Sequence, residues 1–129
     1  MSDTEEKEFE KRAITRIPKP WGYELIWAHT SEYVGKILHV NPGESLSLQY
    51  HEVKDETIFL LTGEMKFWVG PSVEALELVP LAAGEAYRVR PGTVHRMEAV
   101  TEVDMLEAST PHLDDVVRIE DRYGRIPGG

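Results

Sequence analysis

The chain has 129 residues, with 14 Lys and Arg against 23 Asp and Glu, and no cysteine. That length supports one domain with a real core, and the missing thiols exclude disulfides, thiolate metal ligands and cysteine nucleophiles. A net charge of -9 argues against a nucleic-acid surface, which needs clustered cations to neutralise phosphates. No apolar run approaches the roughly 20 residues a membrane span requires, and the N-terminus is too charged for a signal peptide. A cytoplasmic protein without membrane contact is the expectation.

Residues 1–16 (MSDTEEKEFEKRAITR) form a charged extension with helical character or no fixed structure. Ser2 and Glu5 have capping-box spacing, and Phe9, Ala13 and Ile17 recur at helical spacing. From Ile17 the character changes, and residues 17–129 read as a single domain. Pro18 and Pro20 lead into an aromatic and β-branched run, Trp21 to Trp27, that predicts a strand. Tyr33 to Val40 alternates and stops at Asn41-Pro42-Gly43. Further strands are predicted at Met65 to Val69, Val73 to Val79, Ala86 to Arg90, His95 to Val100 and Glu102 to Ala108. Short strands punctuated by Gly and Pro predict an all-β sandwich or barrel. The tail from Leu113 to Arg125 is expected to pack on it as a strand or helical turn.

The stretch from Gly43 to Gly63 carries the chemistry. In extended backbone, Ser47, Gln49 and His51 share one face and Leu46, Leu48 and Tyr50 the other. A turn over Glu52 to Asp55 would close a hairpin and return Glu56 toward Gln49 and His51. His95, just after the Pro91-Gly92 turn, offers a second imidazole. Imidazole, carboxylate and amide oxygen converging on one point suit a divalent ion, and leave open positions for Lewis-acid chemistry.

These residues resemble the cupin superfamily. Its first motif, G-x5-H-x-H-x(3,4)-E-x6-G, is met by Gly43, Gln49, His51, Glu56 and Gly63, with Gln for the first His. Its second, G-x5-P-x-G-x2-H-x3-N, is met by Gly84, Gly92 and His95, with Arg90 at the proline position and Ala99 at the Asn. A closer resemblance is to type II phosphomannose isomerase cupins, the C-terminal domain type of bifunctional mannose-1-phosphate guanylyltransferases. Lys19-Pro20-Trp21-Gly22, the run from Pro42 to His51, and the run from Asp114 to Arg125 match that group. Two departures stand out: Lys54 replaces an arginine, losing the bidentate fork, and Ile58 replaces a tryptophan.

The resemblance implies a jelly-roll barrel, the double-stranded β-helix of cupins. It implies one divalent ion, zinc first with manganese, iron, cobalt or nickel as substitutes, held by Gln49, His51, Glu56 and His95. It also implies a sugar-phosphate isomerase of the mannose-6-phosphate type, in which a metal stabilises the enediolate of aldose–ketose interconversion. Lys54 is the candidate for proton transfer, and Arg88, Arg118 and Lys36 for substrate contacts. Arg96 should face away from His95 by strand alternation, and His29, His39 and His112 carry no motif spacing. Trp21, Trp27, Tyr23 and Tyr87 read as core, and Leu46, Leu48, Phe59 and Leu61 as filling between sheets or as part of a homodimer interface. The rival readings are a non-catalytic, metal-containing sugar-binding cupin and a metal-dependent cupin oxygenase.

Overall fold

The computed structural model describes residues 11–125. Most of the charged extension lies outside them, so its helical character is not addressed. Among the described residues eleven strands build two sheets that face each other. The larger contains β1 (Thr15–Lys19), β2 (Gly22–His29), β3 (Val34–Val40), β10 (Val103–Ser109), β5 (Glu56–Thr62) and β8 (Ala86–Val89), in that spatial order. The smaller orders β11 (Val117–Glu120), β4 (Leu48–Tyr50), β9 (Val94–Ala99), β6 (Glu64–Gly70) and β7 (Glu77–Ala82). All pairs are antiparallel. From β3 onward every connection crosses between the sheets except the β6–β7 hairpin, which is the jelly-roll winding.

Several expectations need correction. The first strand begins two residues before Ile17, where Thr15 and Arg16 pair with Ile26 and Leu25. Residues Val73–Ala75 form a short 3-10 turn, and the strand begins only at Glu77. The largest correction concerns the stretch from Gly43 to Gly63. No hairpin forms there: β4 and β5 belong to different sheets, and residues 51–55 carry the chain across the barrel mouth. Glu56 meets His51 from the opposite wall.

Alternation divides the interior into a dry end and a charged end. Along β5 the inward residues are Glu56, Ile58 and Leu60; along β10 they are Val103, Met105, Glu107 and Ser109. On β3 they are Val34, Lys36, Leu38 and Val40. Phe67, Ile58, Leu60, Met105, Val89 and Val103 are fully enclosed, and each such side chain stabilises by roughly 1.5–3 kcal/mol relative to exposure. Glu56, Glu107 and Lys36 continue the same inward rows into the polar end. The β5 phase differs from the expected one: Leu61 is 51% exposed, Phe59 is only partly covered, and Ile58 and Leu60 fill the core.

Trp21 is buried as expected, but Trp27 is 48% exposed and lies across Gly35, where any Cβ would strike its ring. Tyr23 stacks on His39 at 4.8 Å, and His39 Nδ1 is 2.6 Å from Asp104 Oδ1 on the neighbouring strand. Tyr87 packs edge-on to Phe67 at the rim of the core. Gly22 explains its place in the Trp-Gly pair. Its φ is +152°, and a Cβ there would lie 2.0 Å from the His39 carbonyl oxygen.

Candidate metal centre

The loop after β4 is held so that His51 turns into the barrel. The Asp115 carboxylate accepts the backbone N–H groups of Glu52 (3.0 Å), Val53 (2.7 Å) and Lys54 (2.8 Å). The Asp115 carbonyl accepts His51 Nδ1–H at 2.6 Å, and the Gly92 N–H donates to the His51 carbonyl. Thr110 ties down Asp55 through its hydroxyl and backbone. Burial raises the Asp115 carboxyl pKa, but the three amide donors outweigh that and hold it down at about 2.

A carbonyl oxygen only accepts, so the short contact to Asp115 forces the His51 proton onto Nδ1 and leaves the Nε2 lone pair facing inward. His95 repeats the arrangement: Nδ1–H donates to the Thr93 carbonyl at 2.9 Å, and its buried Nε2 has no hydrogen-bond partner. Both Nε2 atoms converge on one carboxylate oxygen, Glu56 Oε1, at 3.2 Å from His51 and 3.6 Å from His95. The three ligand atoms lie within 4.8 Å of one another, and all three residues are buried. Two lone pairs and a carboxylate oxygen facing each other repel unless a cation joins them. The donor set therefore fits a divalent ion, with His51, Glu56 and His95 as ligands.

Gln49 pairs in register with His95 on the adjacent strand and lines the same cavity. Its Oε1 accepts the Ser47 hydroxyl at 2.6 Å, which fixes the amide beside the three ligands. Burial depresses the His95 pKa, so the ring is neutral and ready to ligate. Burial raises Glu56, but the Lys54 ammonium 3.2 Å from its Oε2 outweighs that and holds it ionised below the usual carboxylate range.

Lys54 takes a different place from that of a free base. It is buried, with Nζ 3.2 Å from Glu56 Oε2 and 3.1 Å from Glu107 Oε2. Burial lowers its pKa, but Glu107 and Glu56 more than offset this and keep it an ammonium. Glu107 is raised to about 7 by burial and by the Glu56 charge, against the pull of Lys54 and Lys36. Glu107 received no role in the sequence reading. The signal was available: it is the one charge on an otherwise uncharged inward row of β10, and it pairs in register with Lys36.

The expected substrate cations separate. Lys36 and Arg118 line the cavity, together with Lys19 and Arg125. Arg88 does not. It sits on the outer face, with its side chain 54% exposed, and forks onto the Asp55 carboxylate at 3.1 and 2.5 Å. Its strand phase is opposite to that of Val89, which fills the core. Arg96 lies over Trp68 on the outside, away from His95, as alternation requires. The cavity, about 110 Å³, is partly enclosed, and Trp21, Leu38, Leu46, Met97, Leu113 and Val116 supply its apolar lining.

Among the described residues no helix is long and apolar enough to cross a membrane. The cupin domain family matches residues 36–108. The chain is 32% identical over 123 residues to mannose-1-phosphate guanylyltransferase of Escherichia coli K12, covering 91% of this chain and 24% of that protein. It is 34% identical over 116 residues to ManC of Salmonella typhimurium, covering 85% and 23%. The chain thus spans about a quarter of the length of these curated relatives. Among solved structures, KdgF from Halomonas superposes with a TM-score of 0.64 at 16% identity, covering 78% of this chain and 88% of that one. CapF from Staphylococcus aureus superposes with a TM-score of 0.66 at 16% identity, covering 84% and 35%. At such identities these two speak for the fold alone. On its motifs, its double-sheet winding and its family match, this chain belongs to the cupin domain family, and it resembles the cupin region of the mannose-1-phosphate guanylyltransferases.

Proposed function

We propose that this cupin is a metal-dependent sugar-phosphate isomerase that interconverts an aldose and a ketose phosphate, with mannose-6-phosphate as the leading substrate. The observation that carries the reading is the pair of Nδ1-tethered histidines whose Nε2 atoms face Glu56 inside a cavity. His51, Glu56 and His95, with Gln49 beside them, would hold the ion, zinc before manganese, iron, cobalt or nickel. When bound, it would supply Lewis-acid polarisation of a carbonyl and its neighbouring hydroxyl.

The chain's own residues do the rest. The Asp115 and Thr93 carbonyls orient the two rings and fix their tautomers, so each presents Nε2 to the site. Trp21, Leu46 and Met97 wall the site against water, which strengthens every charge interaction inside. In this reading Lys54 works as an acid: an ammonium at Nζ can give its proton to an oxygen gaining charge and be reset through Glu107. The similarity to mannose-1-phosphate guanylyltransferases supports the sugar-phosphate class.

A second reading, a metal-containing sugar-binding domain without turnover, draws support from the same lysine. An ammonium locked between two carboxylates is a poor base, and Lys54 would then serve only charge balance. One experiment separates the two. Metal content of purified protein is measured, and mannose-6-phosphate to fructose-6-phosphate exchange is followed with and without chelator and in His51→Ala. Chelator-sensitive exchange lost in the variant supports the isomerase. Stoichiometric metal with sugar binding but no exchange supports the binding domain.

A further inference from the structure

The cavity has a second charged cluster, away from the metal ligands. Lys36 Nζ is 3.5 Å and Lys19 Nζ 4.0 Å from the same glutamate, Glu24, one on each carboxylate oxygen. Arg118 reaches this cavity from the other sheet, and its Nε is buried without a hydrogen-bond partner. Arg125 is already satisfied by a fork onto Asp121. Lys54 is satisfied by Glu56 and Glu107. Lys19 and Lys36 therefore share one carboxylate, and Arg118 brings a further cation without a carboxylate partner into the same partly enclosed space. A buried N–H without an acceptor is costly, and a phosphate monoester carries about -1.5 to -2 at neutral pH and three acceptor oxygens.

The two sheets place this cluster on the same side of the metal ligands. Arg118, Gln49 and His95 stand in register across β11, β4 and β9, so Arg118 is two strand spacings, about 10 Å of backbone separation, from His95. In the facing sheet Glu24 and Glu56 lie on β2 and β5, three strand spacings or about 14 Å apart. Lys19 lies on β1, at the same edge as Glu24. Its pKa is pulled down by burial against the attraction of Glu24, with Lys36, Arg125 and Arg118 adding repulsion, which puts these four cations within electrostatic reach of one another.

We propose that Arg118, Lys19 and Lys36 form an anion subsite that takes the phosphate monoester end of a short polyol ligand, while its other end reaches His51, Glu56 and His95. The subsite deepens the sugar-phosphate reading and rests on it only for the identity of the ligand's far end. Lys19 and Arg118, almost a hundred positions apart in sequence, act on one group, and Glu24 holds the two lysines in place while the subsite is free.

The test is calorimetric titration of the full-length chain, chelator-treated and metal-loaded, with inorganic phosphate, a hexitol 6-phosphate and the unphosphorylated hexitol. Inorganic phosphate is expected to bind the chelated protein saturably and the bare hexitol not to bind it. Arg118→Gln and Lys19→Gln should each weaken phosphate about tenfold or more, the loss of a charge-assisted hydrogen bond. Arg118→Lys should recover part of the affinity, since the charge returns without the fork. Arg88→Gln should leave it unchanged. Melting curves identify any variant that fails to fold, and Lys19→Gln and Arg118→Gln test the subsite from opposite sheets. Phosphate binding that disappears on chelation or in His51→Ala, yet survives Arg118→Gln, would place the anion on the metal and overturn the proposal. So would absence of saturable binding in any form. Because the chelated protein cannot turn over, a failed isomerase assay leaves this result intact, and a failed titration leaves the metal-centred reading intact.

Discussion

His51 Nε2 and Glu56 Oε1 lie 3.2 Å apart although the residues project from opposite sheets of the barrel. The contact depends on one loop crossing the mouth, and that loop is shaped largely by Asp115, 64 residues after His51. Because the imidazole proton is committed to Asp115, the Nε2–Oε1 approach is favourable only with a cation between or beside the two atoms. Glu56→Gln keeps the shape and removes the charge. Bound zinc, measured by elemental analysis after dialysis against a weak chelator, should fall at least about tenfold, in line with the loss of a charged ligand. Retention of full stoichiometry in Glu56→Gln would remove that carboxylate from the site.

Arg88 separates an outer role from a cavity role. Its fork to Asp55 lies in solvent, where water and salt screen such pairs and leave them little weight in stability. Arg88→Ala should therefore lower the urea midpoint only slightly and leave bound metal at its normal level. Exchange of sugar phosphate, where present, should be unaffected. A large loss of substrate affinity in this variant would mean that Arg88 folds inward when ligand arrives.

The grouping of the candidate ligands was legible because their spacing is local: Gln49, His51 and Glu56 sit in one stretch, and His95 follows its own Pro-Gly turn. The path between them was not. Glu52 to Asp55 has ordinary turn composition, and nothing local distinguishes a hairpin from a crossing held by a carboxylate 60 residues away. Arg88 was misplaced for a related reason. Which face of a short strand looks inward is decided by its neighbours, here by Val89 and Ile58 filling the core. Glu107 and Lys36 were readable as charges on inward rows, yet their partners lie on other strands. The assignment of Leu61 to the interior failed by a one-residue phase, and such a slip moves every side chain to the other face.

Asp115 makes the crossing loop sensitive to acid. Its folded-state pKa, about 2, lies below the ordinary 3.8. A depressed carboxylate contributes stability that is fully present above the unfolded value and is lost as pH falls from about 4 through 2. In Asp115→Asn the urea midpoint measured across that range should change less steeply with pH than in the parent chain, and it should be lower at pH 7. Identical pH profiles for the two proteins would mean that the three amide contacts do not persist in solution.

Lys54 gives the sharpest test of how the polar end is balanced. Its ammonium stands 3.2 Å from Glu56 and 3.1 Å from Glu107, and all three side chains are buried. Removing the cation leaves two carboxylates facing each other where water cannot screen them. Lys54→Met should destabilise the metal-free protein by about 3–5 kcal/mol, the usual consequence of leaving a buried charge unpaired. Pairing it with Glu107→Gln removes one of the orphaned charges, so the double variant should recover much of that loss. A double-mutant cycle by urea denaturation in chelator reads the coupling directly. Additive losses in the two single variants would show that Lys54 and Glu107 do not act as a pair, and Lys54 would then owe its burial to Glu56 alone.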